Sequence, residues 1–286
     1  MTGPSVADES AGTSRRALVL GPGGAVGTAW MAGLASGLRQ RGVDLGGADL
    51  IVGTSAGAIV GAALATGQDP AELATVPRPA DIGDANLEVD PGALDRVFGV
   101  LGDPSLEPAD ARRRAGQIAM TARAIPERIH VAQMGALITA REWPDRRLLI
   151  TAVDAESGEA QVWGRGSGVP MVPAVAASCA MPGIYAPVTV NGRRYMDGSL
   201  RGGANVDLAS GARLIALIEP LAHLYPAPRP EQGTVVAVGP DEATLRLFEP
   251  GLNEIAAWQP AYHAGLRQSE DCAAMVHAAW HADVSD

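Results

Sequence analysis

Apolar residues in this chain fall in short unbroken runs that alternate with stretches of helical spacing. Ala17 to Leu20 is one such run, ending in glycines, and Asp49 to Val52 is another; runs of this length bounded by turn residues predict strands buried on both faces. Between them Gly21 to Gly27 is a glycine-rich loop, and Thr28 to Arg41 keeps helical spacing up to a stop at Gly42. An alanine-rich helix is predicted from Ala56 to about Thr66. Gln68 to Asp90, rich in Pro, Asp and Gly, reads as a long loop. Helices follow around Ala93 to Val100, Ala109 to Arg123 and Glu127 to Ala140. Strand character returns over Arg147 to Val153, paired with Gln161 to Trp163 through a turn at Ser157-Gly158. Val172 to Ala180 is helical, Val188 to Tyr195 a hairpin turning at Asn191-Gly192, and Leu214 to Ile218 and Val235 to Val238 are further strands. Tyr262 to Trp280 closes the chain as a helix, and there is no internal repeat.

Strand–loop–helix alternation of this kind predicts an α/β fold: three layers, α/β/α, around a mainly parallel central sheet. Residues 1–15, small, polar and acidic, are expected as a disordered tail, and 16–286 as a single domain. The helices over about 91–140 interrupt the alternation between two strand regions, so they are expected as a cap over a site.

Composition narrows the function. Of 286 residues 47% are hydrophobic but only 4% aromatic, so the core is built from small and branched side chains. The formal charge is −10, and every basic side chain apart from the histidines is an arginine. An acidic surface argues against nucleic acid as a partner and against electrostatic attraction to anionic membranes. Cys179 and Cys272 lack metal-ligand spacing and read as buried free thiols. With no signal-peptide pattern and no bilayer-length apolar run, the expected location is the cytoplasm, with at most a peripheral position at a membrane.

Candidate chemistry centres on three segments. Gly53-Thr54-Ser55-Ala56-Gly57 has the Gly-x-Ser-x-Gly spacing that puts a nucleophilic serine on a tight strand-to-helix turn, with Gly53 and Gly57 permitting close backbone approach. The Gly21-Pro22-Gly23-Gly24-Ala25-Val26-Gly27 loop offers backbone N–H groups and a helix N-terminus to a developing oxyanion. Val26 stands where a dinucleotide fingerprint needs glycine, and no lysine exists for a P-loop. A serine also needs a base. The five histidines lie outside glycine-marked loops after strands, whereas Asp197, in Met196-Asp197-Gly198-Ser199, follows an apolar hairpin and can point out from a strand end.

Together these three segments resemble the patatin-like phospholipases. Thr151-Ala152-Val153-Asp154 with Ser157-Gly158, and Ala177-Ser178-Cys179-Ala180-Met181-Pro182 through Tyr185 and Pro187, resemble further family blocks, and the likeness runs from about Arg16 to Pro220. It implies a Ser–Asp dyad with Ser55 as nucleophile and Asp197 as general base. It also implies an oxyanion hole from the amides of Gly23, Gly24 and Ala25, supported by Gly27 and Gly198. The substrate would be a lipid or other acyl ester, met in a transient contact at a membrane surface; no cofactor or metal is implied. Three departures stand out. Val26 replaces a basic residue usual in the family, which argues against strong preference for phosphate-bearing lipids. Ser199 replaces a glycine. Gly202-Gly203-Ala204-Asn205 replaces an Asn-rich, Pro-containing turn.

Other residues carry plainer readings. Asp154 reads as a hairpin residue, Cys179 as inert packing, and Arg112, Arg113 and Arg114 as a solvated helix face. Met134, Leu137, Ile138 and Trp143 could line an acyl pocket, though at this spacing they are more often core. Two other functions stay open. One is an α/β-hydrolase triad using His223, His263, His277 or His281. The other is a catalytically silent lipid-binding module on the same fold.

Overall fold

A computed structural model of the chain describes residues 15–75 and 89–282. Its sheet contains β1 (Arg16–Leu20), β2 (Leu50–Gly53), β3 (Arg147–Asp154), β4 (Ala160–Trp163), β5 (Val188–Val190), β6 (Arg193–Asp197), β7 (Leu214–Ile218) and β8 (Thr234–Val238). The order is β5-β6-β3-β2-β1-β7-β8, with β4 also on β3. From β3 to β8 every pairing is parallel; β4, β6 and β5 add on antiparallel. Strands β2 and β7 are buried at every position. Neighbours bond both their edges and side chains cover both faces, so they appear in the sequence as unbroken apolar runs.

Helices flank this sheet, as the alternation predicts, and they divide unequally between its faces. On one side Leu18, Leu20, Ile51, Ile150 and Ile218 meet α1 (Gly24–Gln40), α2 (Ala56–Ala65), α6 (Met171–Ser178) and α9 (Trp258–His281) in the larger core. On the other, Val19, Val52, Ile215 and Leu217 are closed over by the short segment from Ala204 to Ala212, which includes a 3-10 turn at Val206–Ala209. Glycines set how closely α1 and α9 meet. A Cβ on Gly33 would collide with the Tyr262 carbonyl, and one on Gly265 with the Trp30 carbonyl, so the two backbones touch. Trp30 Nε1 donates across the seam to Gln268 Oε1 at 3.0 Å.

Between β2 and β3 run α3 (Ala93–Leu101), α4 (Pro108–Thr121) and α5 (Glu127–Leu137). The last ends three residues earlier than the pattern predicts, because Ile138 turns extended. Conversely, α9 begins at Trp258 rather than Tyr262. Pro260 falls in its first turn, where an N–H has no intrahelical partner to lose. A 3-10 turn at Pro70–Ala74 occupies part of the expected loop. Residues 76–88, and residues 1–14 of the expected tail, lie outside the described residues. The single turns α7 (Ser199–Gly202) and α8 (Glu242–Leu245) are too short to leave a periodic signature. Among the described residues no helix is long and apolar enough to cross a membrane.

Candidate active site

Ser55 sits where β2 gives way to α2, at φ 53° and ψ −120°. A serine reaches this conformation only against steric resistance, and the surrounding contacts hold it there. Two glycines make the turn possible. A Cβ on Gly57 would strike the Leu20 carbonyl oxygen, and one on Gly53 would come within 2.7 Å of Ala58 Cα. The Ser55 N–H donates to Ser178 Oγ at 3.0 Å, and its carbonyl accepts from the Cys179 thiol at 3.1 Å.

Asp197 ends β6 and is 1% exposed. Its backbone N–H donates to the Ala180 carbonyl at 3.0 Å. Oδ1 accepts from the Ser199 N–H at 2.8 Å, while Oδ2 is buried without a hydrogen-bond partner. Burial pushes this carboxyl up to about 6; the Ser199 hydrogen bond and the nearness of the Ser55 hydroxyl pull it back only partway. The same segment, Ser178 to Ala180, therefore grips both the serine turn and the strand end that carries Asp197. Gly198 completes the approach, since a Cβ there would run into Thr151.

The glycine loop faces both side chains across one cavity of about 1940 Å³, lined by Gly23, Gly24, Ala25, Ser55 and Asp197 among others. This is roughly twice the upper end of the usual range for small-ligand sites, ~1000 Å³. Gly23 caps α1, and Gly24 opens it at φ +62°. The amides of Gly23 and Gly24 have no acceptor among the described residues. Those of the next two residues are taken: Ala25 N–H donates to Asn253 Oδ1 at 3.3 Å and Val26 N–H to the Leu252 carbonyl at 3.1 Å. Gly27 fits tightly as well, with a Cβ there 3.0 Å from Pro220 Cβ. Val26 itself is wholly buried in the main core, so packing, not a charge, fixes the loop at this position.

Apolar side chains dominate the rest of the cavity, with Ile59, Met134, Leu137 and Met181 among them. Met134 and Leu137 serve as core and as lining at once, whereas Ile138 belongs to the core alone and Trp143 packs beside it with its Nε1 on the Val169 carbonyl. His130 also lines the cavity, stacked on Tyr185 with ring centroids 4.0 Å apart. Burial lowers it to about 4, so it is neutral at ordinary pH. None of His223, His263, His277 and His281 reaches this lining.

Two residues have roles that sequence reasoning missed. Asn205, buried and at φ 57°, donates from Nδ2 to Thr54 Oγ1 at 2.9 Å, to the Gly198 carbonyl at 3.2 Å and to Thr151 Oγ1 at 3.3 Å; Arg201 donates to its Oδ1 at 2.8 Å. One side chain thus ties the serine turn to the Asp197 loop. An asparagine amid glycines, able to adopt left-handed backbone, was the available signal. Ser178 is the other: it lies in the block from Ala177 to Pro182, but nothing there signals its contact with the Ser55 N–H. Arg112, expected on a solvated face, instead donates from Nε to the Gly158 carbonyl and borders the cavity. Cys179 is buried with its thiol pushed well up, hence unreactive. Asp154 is the turn residue expected, accepting from the N–H groups of Glu156 and Ser157.

A family model described as patatin-like phospholipase matches residues 18–210. An uncharacterized NTE family protein of Mycobacterium bovis is 32% identical over 186 residues, which is 65% of this chain and 43% of that protein. A counterpart from Mycobacterium tuberculosis matches to the same extent. The matched region thus spans less than half the length of these relatives. Among solved structures, VipD from Legionella pneumophila aligns with a TM-score of 0.45 at 12% identity, covering 90% of this chain and 67% of that one. The type III effector protein ExoU aligns at 0.32 and 17%, covering 90% and 54%.

Proposed function

The chain belongs to the patatin-like phospholipase family, and from that premise we propose that it is a lipid acyl-ester hydrolase working through Ser55 and Asp197. The observation that carries this is the convergence on a single apolar cavity of a strained serine, a buried carboxylate with one oxygen and two amides that find no partner among the described residues. In the reaction, Ser55 Oγ attacks the acyl carbonyl carbon while its proton passes to Asp197 Oδ2. An ordinary carboxylate is too weak a base for this; one raised to about 6 is better matched and still ionised at neutral pH. The negative charge that develops on the carbonyl oxygen is received by the Gly23 and Gly24 amides, with the dipole of α1 behind them. Ala25 joins them when Asn253 releases its amide. Collapse expels the alcohol, which takes the proton from Asp197. Water then attacks the acyl-serine and gives a proton to the same carboxylate, which returns it to Ser55 Oγ as the acid departs.

The helices α3 to α5 form the cap over this cavity in the proposed arrangement. With Val26 buried, the glycine-loop position that is basic in the family carries no charge here, so the enzyme is expected to hydrolyse neutral acylglycerols about as well as phosphate-bearing lipids. The decisive test is Ser55→Ala assayed on a short-chain aryl ester, with fluorophosphonate labelling of the unmodified protein. Loss of turnover and labelling at Ser55 are expected; undiminished turnover in the variant would end the proposal. The Asn253 contact to Ala25 favours one second reading, a lipid-binding module without catalysis. A folded protein that resists fluorophosphonate and hydrolyses no ester would establish it.

A further inference from the structure

Six large hydrophobic side chains stand exposed among the described residues: Phe98, Met120, Leu224, Tyr225, Ile255 and Met275. Four of them line the cavity that holds Ser55 and Asp197, and two, Met120 and Met275, do not. Phe98 (46% exposed), Leu224 (54%), Tyr225 (67%) and Ile255 (56%) come from three separate parts of the chain: α3, the segment after β7 and the turn before α9. Residues that border a cavity while lying open to water mark the place where it meets solvent. Scattered apolar side chains on a surface need no explanation, but four of the six on the border of one cavity do.

We propose that this rim docks the protein on a neutral or zwitterionic lipid surface, with the four side chains inserted among the lipids and the cavity mouth facing them. The occupant follows from position and charge. A protein seated on the rim would close the opening through which a substrate must pass, whereas a lipid surface seated there supplies it. An anionic surface does not suit the charge. The chain carries −10 overall, Asp103, Glu219 and Glu254 border the cavity, and its arginines are engaged: Arg201 by Asp207, Arg112 by the Gly158 carbonyl. Attachment therefore rests on apolar insertion, with little help from charge. The inference takes its purpose from the acyl-hydrolase reading but is tested without it.

The full chain and its Ser55→Ala variant are sedimented with phosphatidylcholine vesicles. Both are expected to pellet equally. The triple variant Phe98→Ser, Tyr225→Ser, Ile255→Ser is expected to lose affinity on the order of a hundredfold, from the apolar area withdrawn, while Met120→Ser with Met275→Ser changes nothing. Hydrogen exchange on the unmodified chain gives a second readout that needs no substitution: vesicles should protect the amides of residues 221–225 and 252–258. Failure of the unmodified chain to bind, equal binding by the triple variant, or binding only when phosphatidylglycerol is added would each overturn the proposal. So would a solution dimer that the rim substitutions dissociate. Vesicle binding without ester hydrolysis would instead sink the catalytic reading and leave this one standing.

Discussion

Replacing Asp197 with asparagine should make the protein more stable at neutral pH while abolishing its chemistry. The carboxyl is wholly buried and raised from an ordinary 3.8 to about 6. A group raised in this way binds its proton more tightly folded than unfolded. Its contribution to stability is therefore complete below pH 3.8, declines as pH rises, and is lost once pH passes about 6. Raising a carboxyl over that interval costs the ionised protein about 3 kcal/mol. Asparagine keeps the acceptor for the Ser199 N–H and carries no charge to desolvate. Urea unfolding of both proteins from pH 4 to pH 8 is the assay. At pH 4 the two should unfold alike, and by pH 8 the variant should lead by up to about 3 kcal/mol. A difference that stays constant across this range, or a variant weaker at pH 8, would refute the claim that burial of charge sets the pKa. That claim also underlies the assignment of Asp197 as a base.

Three further outcomes are expected. Turnover of a soluble ester should fall about tenfold per pH unit below an apparent pKa near 6; a flat profile between pH 5 and 7 would remove Asp197 from the rate-determining step. Asn205→Ala should cost roughly 2–4 kcal/mol in chemical denaturation and at least tenfold in kcat, because buried partners on two loops are left without a donor. Asn205→Asp should do no better, since it sets a carboxylate oxygen against the Gly198 carbonyl. Gly265→Ala drives a methyl into the Trp30 carbonyl; it should lower stability by several kcal/mol, and an unchanged melting temperature would show that α1 and α9 separate easily.

What the sequence disclosed follows from where its information is local. Strands β1, β2 and β7 were legible because burial on both faces leaves an apolar run that needs no partner to be seen. The serine turn was legible because its glycines lie two residues either side of Ser55, and their need is steric. Asp197 could be singled out by the hairpin before it and the glycine after it. The closure of the second face by Ala204 to Ala212 was not legible, since a segment of single turns has no period. Nor was the position of Leu252 and Asn253 on the glycine loop. Val26 meets Leu252 through backbone atoms, which every residue possesses, and Ala25 meets Asn253 across more than two hundred positions. Arg112 failed for a related reason: a basic run at a helix start looks solvated until the carbonyl it reaches is known.

The backbone-to-backbone seam between α1 and α9 makes the long final helix a splint for the end of the molecule that carries the glycine loop. The first turn of α1 carries the amides that would receive the oxyanion, and a rod so tightly clamped cannot tilt at one end without moving at the other. Residues such as Tyr262 and Gly265, which lie off the cavity and outside the 18–210 match, would thereby govern the aim of Gly23 and Gly24. Tolerance to change along α9 should accordingly be lowest where it bears on α1, and a crystallographic survey of substitutions there would read out as rotations of the glycine loop.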